Sequence, residues 1–487
     1  MRRSWLIPLL VMLAVGLPFM VSWWARWDSA VHASVAWRMA LTGDYLGMYA
    51  GESVYFNKPP LAIWVLAGVF RAGLASGLLS ADAGPPVWLV RAPSLVAALL
   101  CVRVLVATVQ RTHGQTAAVA AGWVIALTQP FFVLLNEKVV DFWQALCIAC
   151  VLWCWVRGTG GGAGGWRWVL LSGVAMGLAL LCKPAGALLA VPVGAVWLGV
   201  TGRWRLLAAL AGAGVVACVV ASPWYFAMYA RFGDSFLGAH FGREIAERAR
   251  GERFGVDPWW WYWWWLWRAY KPWVWLLLAT PAAMVLRRRF PARHPAGQEV
   301  QSLALPLVWS AGWLVLLSCF PDKRTAYAMP VYLSLAWVCG VVMVRLFPAL
   351  HAPRLVAAGL VTGCVLVAGS VGATVYLARR GPVGEGAALA AVARGLRGAD
   401  PRHVWSGALR HADAANVYIA AGCWPRRSMN DGELDIAPSA PRYEDAAYVP
   451  EAAGGDLVVY RDGGGAVPPV GAFVVVRAEP FTVVRWP

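Results

Sequence analysis

The feature that most constrains this chain is a succession of apolar runs, each about as long as a bilayer is thick, recurring from residue 5 to residue 377. A helix rises about 1.5 Å per residue, so crossing the hydrocarbon core takes roughly 20 apolar residues. Runs of about this length fall at 5–24, 87–109, 115–135, 139–156, 168–182, 185–200, 205–222, 272–286, 302–319, 328–344 and 354–377. Of the 487 residues, 60% are apolar and only 14% charged, and the mean hydropathy is +0.58. A soluble protein of this size cannot hide that much apolar surface, and so apolar a chain is not disordered. The sequence predicts an α-helical polytopic membrane protein with about 11 or more transmembrane helices.

The net charge of +17 would point to nucleic acid in a soluble protein. Here basic residues flank spans and meet anionic lipids, so membrane lipids are the expected partner and nucleic acid is not. Every second loop is basic: Arg103 and Arg111, Arg157 and Arg167, Arg203 and Arg205, Arg287 to Arg289 with Arg293, then Arg345 and Arg354. With Met1-Arg2-Arg3 ahead of the first run, this places the N-terminus in the cytoplasm and the C-terminus outside. Two outside segments are long, 25–86 and 223–271. The second ends in Trp259-Trp260-Trp261-Tyr262-Trp263-Trp264-Trp265-Leu266-Trp267, too dense for a core helix. It reads as an interfacial aromatic belt, with carbohydrate stacking as the other reading.

Residues 1–379 therefore form a transmembrane domain, and 380–487 a small extracytoplasmic α/β domain. Within the latter, 385–396 and 412–421 read as helices and 457–460, 473–476 and 481–484 as strands. It carries no catalytic signature and is expected to be an accessory cap. The ten cysteines are not a disulfide set. All but Cys423 lie in or beside apolar runs, where they act as small apolar fillers. Among 42 basic residues only Lys58, Lys138, Lys183, Lys271 and Lys323 are lysines, and all five fall on the expected outside face. Compact cations there suit a phosphate; snorkelling at the interface is the competing account, and the stronger one for Lys271 beside the Trp block.

The outside segments hold an ordered set of motifs. Asp28 follows the first run, with His32 one turn later, and Gly43-Asp44 ends that stretch. Tyr55-Phe56-Asn57-Lys58-Pro59-Pro60 comes next, followed by Glu137-Lys138-Val139-Val140-Asp141 and Leu181-Cys182-Lys183-Pro184. Then come Arg243-Glu244-Ile245-Ala246-Glu247-Arg248, Pro258-Trp259-Trp260-Trp261-Tyr262, and the segment from Ser318 through Lys323 and Tyr327 to Pro330. In this order over 1–345 the set resembles the GT-C fold glycosyltransferases that use polyprenyl-phosphate sugars. The nearest branch is the ArnT (aminoarabinose transferase) and protein O-mannosyltransferase-like one.

The resemblance implies an inner-membrane glycosyltransferase with its active site on the periplasmic face of a bacterial cell. It would move a sugar from a polyprenyl-phosphate donor to a lipid A-like lipid, a glycan or a protein, with inversion. Asp28 would be the general base. Lys58, Lys183 and Arg248 would hold the leaving phosphate, joined by Lys323. Asp141 would orient those cations, or simply cap its helix. Tyr55 and Tyr327 would bond phosphate or sugar oxygens, and His32 would tune Asp28 or serve packing.

Three departures stand out: the family's Asp-Glu is Asp28-Ser29 here, its Glu-Lys-Pro is Asn57-Lys58-Pro59, and its His-Glu is Arg243-Glu244. In ArnT-type relatives that Glu and His bind zinc. The expectation is no zinc and no other cofactor, with Arg243 supplying the charge. The alternative function is a non-enzymatic flippase or transporter of lipid-linked sugars, which should carry charges near mid-bilayer. A non-catalytic acceptor-processing subunit is a third option, kept open by Ser29.

Overall fold

A computed structural model of the chain describes residues 4–21, 27–50, 53–81, 84–160, 164–252, 256–282, 296–347, 350, 353–380, 385–396, 404–407, 457–461, 473–478 and 481–485. The described residues are mostly helical. Among the described residues, five helical stretches are long and apolar enough to cross a membrane: Val87–Ala126, Val139–Thr159, Trp204–Phe232, Thr325–Leu346 and Ala358–Leu377. Shorter apolar helices occupy Leu6–Val21, Leu61–Ala75, Gly165–Leu180, Pro184–Val200 and Leu303–Ser318. By packing, the chain divides into two compact units, Met1–Pro18 with Ser94–Ala373, and Phe19–Pro93 with Thr374–Pro487.

In the first unit, Val139–Thr159, Gly165–Leu180 and Leu207–Phe232 pack side by side. Small residues permit this. A Cβ on Gly173 would collide with the Ala213 backbone, and one on Gly177 would lie 2.8 Å from the Ala217 carbonyl oxygen. Two small residues four apart on each helix let the backbones touch, the usual solution in lipid where burial of apolar surface gives no gain. The Met329–Leu346 helix is buried on nearly every side, and its Gly340 lies against the backbone of Ala121. By contrast Val215, Val219 and Phe226 on Leu207–Phe232, and Val361 and Val365 on Pro353–Arg380, are exposed, as lipid-facing positions are.

Three sequence boundaries shift. Val87–Ala126 is two helices joined at Gly114, whose φ of 84° and ψ of 175° only glycine adopts without strain. The run 115–135 breaks after Ala126, where extended Thr128 caps a new short helix, Gln129–Val133, that carries Pro130 in its first turn. Conversely, the helix expected to stop at 222 continues through Pro223 to Phe232. Pro223 lacks the N–H that the Val219 carbonyl would accept, and the Ser222 hydroxyl donates to that oxygen instead at 3.1 Å. Of the expected span 272–286, residues 272–282 are described, and Val274–Leu278 is helical there.

In the second unit, helix Trp27–Thr42 packs on Leu61–Ala75, with Trp37 meeting Phe70 edge-on at 5.9 Å. Gly43, at φ 76°, ends the first helix and returns its N–H to Met39 at 2.9 Å. The Asp44 carboxylate then accepts from the N–H groups of Leu46 and Gly47, which turns the chain into a two-residue ladder, Tyr49–Ala50 with Ser53–Val54. The C-terminal strands form one sheet in the order Val404–Gly407, Leu457–Arg461, Phe481–Arg485, Phe473–Ala478. The first pair is parallel and the other two antiparallel. Helix Glu385–Leu396 packs on the last two strands. The helix and three of the strands lie where the sequence put them. The strand Val404–Gly407 was not anticipated, and the expected helix 412–421 and Cys423 lie outside the described residues.

Candidate active site

The site in the first unit begins at the start of Val139–Thr159. Asp141 lies in the first turn, where the helix dipole favours a carboxylate. Gln144, nearly one turn on, donates to the backbone oxygen of Lys183 at 2.7 Å. Lys183 is itself extended ahead of Pro184, so its side chain is thrown clear of the short helix Pro184–Leu188. One helix face thus holds both the backbone and the ammonium of Lys183, whose Nζ reaches Asp141 Oδ1 at 2.7 Å.

The same ammonium stands 4.1 Å above the ring of Tyr327. Tyr327 lies in the 3-10 turn Thr325–Ala328 that leads into the central Met329–Leu346 helix. Its hydroxyl accepts from Arg248 Nη1 at 2.9 Å and donates to Asp322 Oδ2 at 3.5 Å. Arg248 Nη2 in turn pairs with Glu244 at 3.1 Å, and Arg324 Nε with Asp322 at 2.9 Å. Asp141, Lys183, Tyr327, Arg248 and Glu244 therefore form one continuous polar chain.

Burial sets its polarity. The side chains of Asp141, Glu244 and Asp322 are 7%, 6% and 4% exposed, while their partners Lys183, Arg248 and Arg324 are 14%, 22% and 48% exposed. The carboxylates lie behind and the cations in front, so the accessible side of the cluster attracts anions. Burial works against the Arg248 charge, but Tyr327, Glu244 and Asp322 outweigh it and raise its pKa above the ordinary value.

Lys323 is placed differently. Its ammonium donates to the backbone oxygens of Phe320, Ser318 and Asp257 at 2.5, 3.3 and 3.4 Å, which accounts for all three of its N–H donors. Burial lowers its pKa, with Asp257 opposing the shift. Here it staples a loop. Nearby, Asp257 N–H donates to the Pro321 carbonyl, Lys323 N–H donates to the Asp257 carboxylate, and the Tyr262 hydroxyl both accepts from Arg324 N–H at 3.1 Å and donates to its carbonyl at 3.2 Å. The loop carrying Tyr327 is thus riveted to the aromatic block. That block forms helix Trp261–Ala269, which buries Tyr262, Leu266 and Ala269 and leaves Trp263, Trp264 and Trp267 exposed. Lys271 lies over Trp267 at 5.7 Å.

Arg243 is half-exposed on the π-helical segment Gly238–Glu247, directly before Glu244. Within the second unit, half-exposed Asp28 lies in the first turn of Trp27–Thr42. One turn later buried His32 brings its Nε2 to 3.0 Å from the Tyr55 hydroxyl. Lys58 follows Tyr55 by three residues, half-buried ahead of Pro59-Pro60.

Sequence reasoning missed Glu244, Asp322 and Gln144 as site residues. The signal for Glu244 was present, since a carboxylate four residues before an arginine on a helix is its natural partner. Asp322 was masked by the two cations that follow it.

Residues 57–226 match the family model of the dolichyl-phosphate-mannose-protein mannosyltransferases. Undecaprenyl phosphate-alpha-4-amino-4-deoxy-L-arabinose arabinosyl transferases of Pseudomonas paraeruginosa and Pseudomonas aeruginosa strain UCBPP-PA14 are each 30% identical over 403 residues. The match covers 78% of this chain and 67% of each relative, so the chain spans about two thirds of their length. The crystal structure of ArnT from Cupriavidus metallidurans bound to undecaprenyl phosphate superposes with a TM-score of 0.71 at 19% identity, covering 98% of this chain and 97% of that one. The Archaeoglobus fulgidus oligosaccharyltransferase complex with Zn and sulfate gives 0.52 at 13% identity, covering 94% of this chain and 68% of that one. These structures share the fold.

Proposed function

Because this chain belongs to the family of the undecaprenyl-phosphate aminoarabinose arabinosyl transferases, polytopic membrane glycosyltransferases of the GT-C fold, we propose that it moves a sugar from a polyprenyl-phosphate carrier to an extracytoplasmic acceptor. The observation that carries this reading is the chain of Asp141, Lys183, Tyr327, Arg248 and Glu244, with its cations forward and its carboxylates behind. The carboxylates fix the cations before substrate arrives, so little reorganisation remains when a phosphate leaves.

In this mechanism the acceptor hydroxyl attacks the anomeric carbon from the face opposite the phosphate, and the configuration inverts. The carbon–oxygen bond to the carrier breaks, and its electron pair goes to the phosphate, which Lys183 and Arg248 stabilise. The family resemblance adds Lys58 as a further phosphate cation and Asp28 as the base that takes the hydroxyl proton. Asp141 and Lys183 lie next to helix starts rather than at mid-span, which favours a transferase over a transporter. Zinc does not suit the two departures, because Asn57 offers only a neutral amide and Arg243 a fixed cation. In our reading the reaction needs no zinc, and Arg243 supplies part of the positive charge.

The protein resides in a bacterial inner membrane with its N-terminus in the cytoplasm. Eleven spans carry the active site on the periplasmic side, and 380–487 forms an accessory domain there. Mass spectrometry of envelope glycolipids and glycoproteins from cells with and without the protein tests the reading. A sugar adduct that disappears with the protein, and returns when purified protein is supplied with the carrier-linked sugar, is the expected result. An unchanged glycolipid and glycoprotein profile refutes it.

A further inference from the structure

A second cationic cluster occupies the other end of the first unit. Arg157 lies 16 residues after Asp141 on Val139–Thr159, roughly 24 Å away at 1.5 Å per residue, close to a hydrocarbon thickness. Three arginines from three separate stretches of the chain converge there. Arg203 donates to the carbonyl of Thr159 at 2.6 Å. Arg111 lies against Gly160, where an added Cβ would stand 3.5 Å from its Nη2. The Arg157 guanidinium is 4.5 Å from the centre of the Trp168 ring and 5.7 Å from that of Trp153.

This end is built differently from the candidate active site. There, Lys183, Arg248 and Arg324 each have a buried carboxylate. Here no carboxylate pairs with Arg111, Arg157 or Arg203 among the described residues, and no Asp or Glu occurs anywhere in 83–136 or 142–233. The positive-inside tendency accounts for basic loops; it does not make three guanidiniums meet at one helix end. The C-terminal carbonyls of that helix attract cations, and the one bond to Thr159 leaves most of the guanidinium donors for another acceptor. Held over two indole rings, Arg157 carries a guanidinium whose N–H groups suit a two-point fork to phosphate oxygens. Leu171 and Val174 on the adjacent helix and Val200 beside the Arg203 turn are exposed, offering apolar walls for acyl chains.

We propose that Arg111, Arg157 and Arg203 form a binding site for the phosphodiester of an anionic phospholipid, at the end of the transmembrane unit opposite the candidate active site. Neighbouring Trp166 and Trp204 are exposed and fit interfacial depth, which argues for a leaflet lipid over a soluble anion.

Native mass spectrometry of the detergent-solubilised full chain tests this, using dioleoylphosphatidylglycerol against dioleoylphosphatidylcholine. The wild type should hold the anionic lipid about ten-fold more tightly. Arg157→Gln and Arg111→Gln should each reduce that affinity by about ten-fold, the value of one charge-assisted bond, while undecaprenyl phosphate binding stays within about two-fold. If Arg157→Gln loses both lipids through misfolding, Arg157→Lys decides. It keeps the charge but not the fork, and should weaken only the phosphatidylglycerol complex. Equal affinity for the two phospholipids, unchanged phosphatidylglycerol affinity in the variants, or displacement of the lipid by equimolar inorganic phosphate would each overturn the proposal.

Discussion

Tyr327→Phe removes one oxygen from the centre of the polar chain and leaves the ring. The shorter of the two bonds lost, from Arg248 at 2.9 Å, is charge-assisted and is worth about 1.5–3 kcal/mol, while the long one to Asp322 at 3.5 Å adds little. Arg248 keeps Glu244 at 3.1 Å, so its guanidinium stays near its place and the cost falls at the low end. Undecaprenyl phosphate should therefore bind about ten-fold more weakly, the equivalent of about 1.4 kcal/mol. Tyr327→Leu also removes the ring 4.1 Å beneath the Lys183 ammonium. That contact is worth about 0.5–2 kcal/mol, a further loss of roughly 2- to 30-fold. Equilibrium binding of labelled undecaprenyl phosphate to purified protein measures both. Double-mutant cycles separate the two faces of the residue. Tyr327→Phe should couple strongly to Arg248→Gln and hardly at all to Lys183→Gln. Wild-type affinity in Tyr327→Phe, or a Leu variant no weaker than the Phe variant, refutes the role assigned to this residue.

Asp28→Asn should abolish transfer and leave undecaprenyl phosphate binding within about three-fold, since a proton acceptor is lost and no cation; near-normal turnover removes Asp28 as the base. Lys183→Ala leaves the Asp141 carboxylate buried without its cation, at a cost of about 3 kcal/mol, read as a lower thermal unfolding midpoint. The double variant Asp141→Asn with Lys183→Gln should recover most of that stability but not carrier binding, and recovery of both would make the pair purely structural. Exhaustive chelation should leave transfer unchanged while Arg243→His lowers it. One tightly held zinc per chain, lost together with activity, contradicts the metal-free reading.

The sequence carried much of the fold in one-dimensional form. Runs such as 139–156 and 328–344 show their length and apolarity directly, and both emerge as buried helices. Boundaries were less visible where one side chain changes the outcome. Pro223 signals an end by its missing donor, yet a neighbouring serine replaces that donor. For the cluster, Lys183, Arg248 and Tyr327 were legible as residue types in an ordered motif set, and the structure brings them together. Their partners were harder to read, because Glu244 and Asp322 sit inside mixed charge runs that look solvated. Lys323 shows the limit of reading charge alone: an ammonium that binds three carbonyls has the same letter as one that binds phosphate.

The rivet between the aromatic helix and the Tyr327 loop also sets an order of events during biosynthesis. Tyr262 and Arg324 are 62 residues apart in the chain, and Arg248 and Tyr327 are 79 apart. At roughly 5–20 residues per second, the ribosome needs about 3 to 12 s to deliver Arg324 after Tyr262. During that interval Tyr262 lacks the backbone it will clamp, while the Lys183–Asp141 pair, 42 residues apart, can already have formed. The polar chain can therefore be completed only once Tyr327 is made, so a nascent chain stalled before residue 320 lacks the hub even where the first pair has formed.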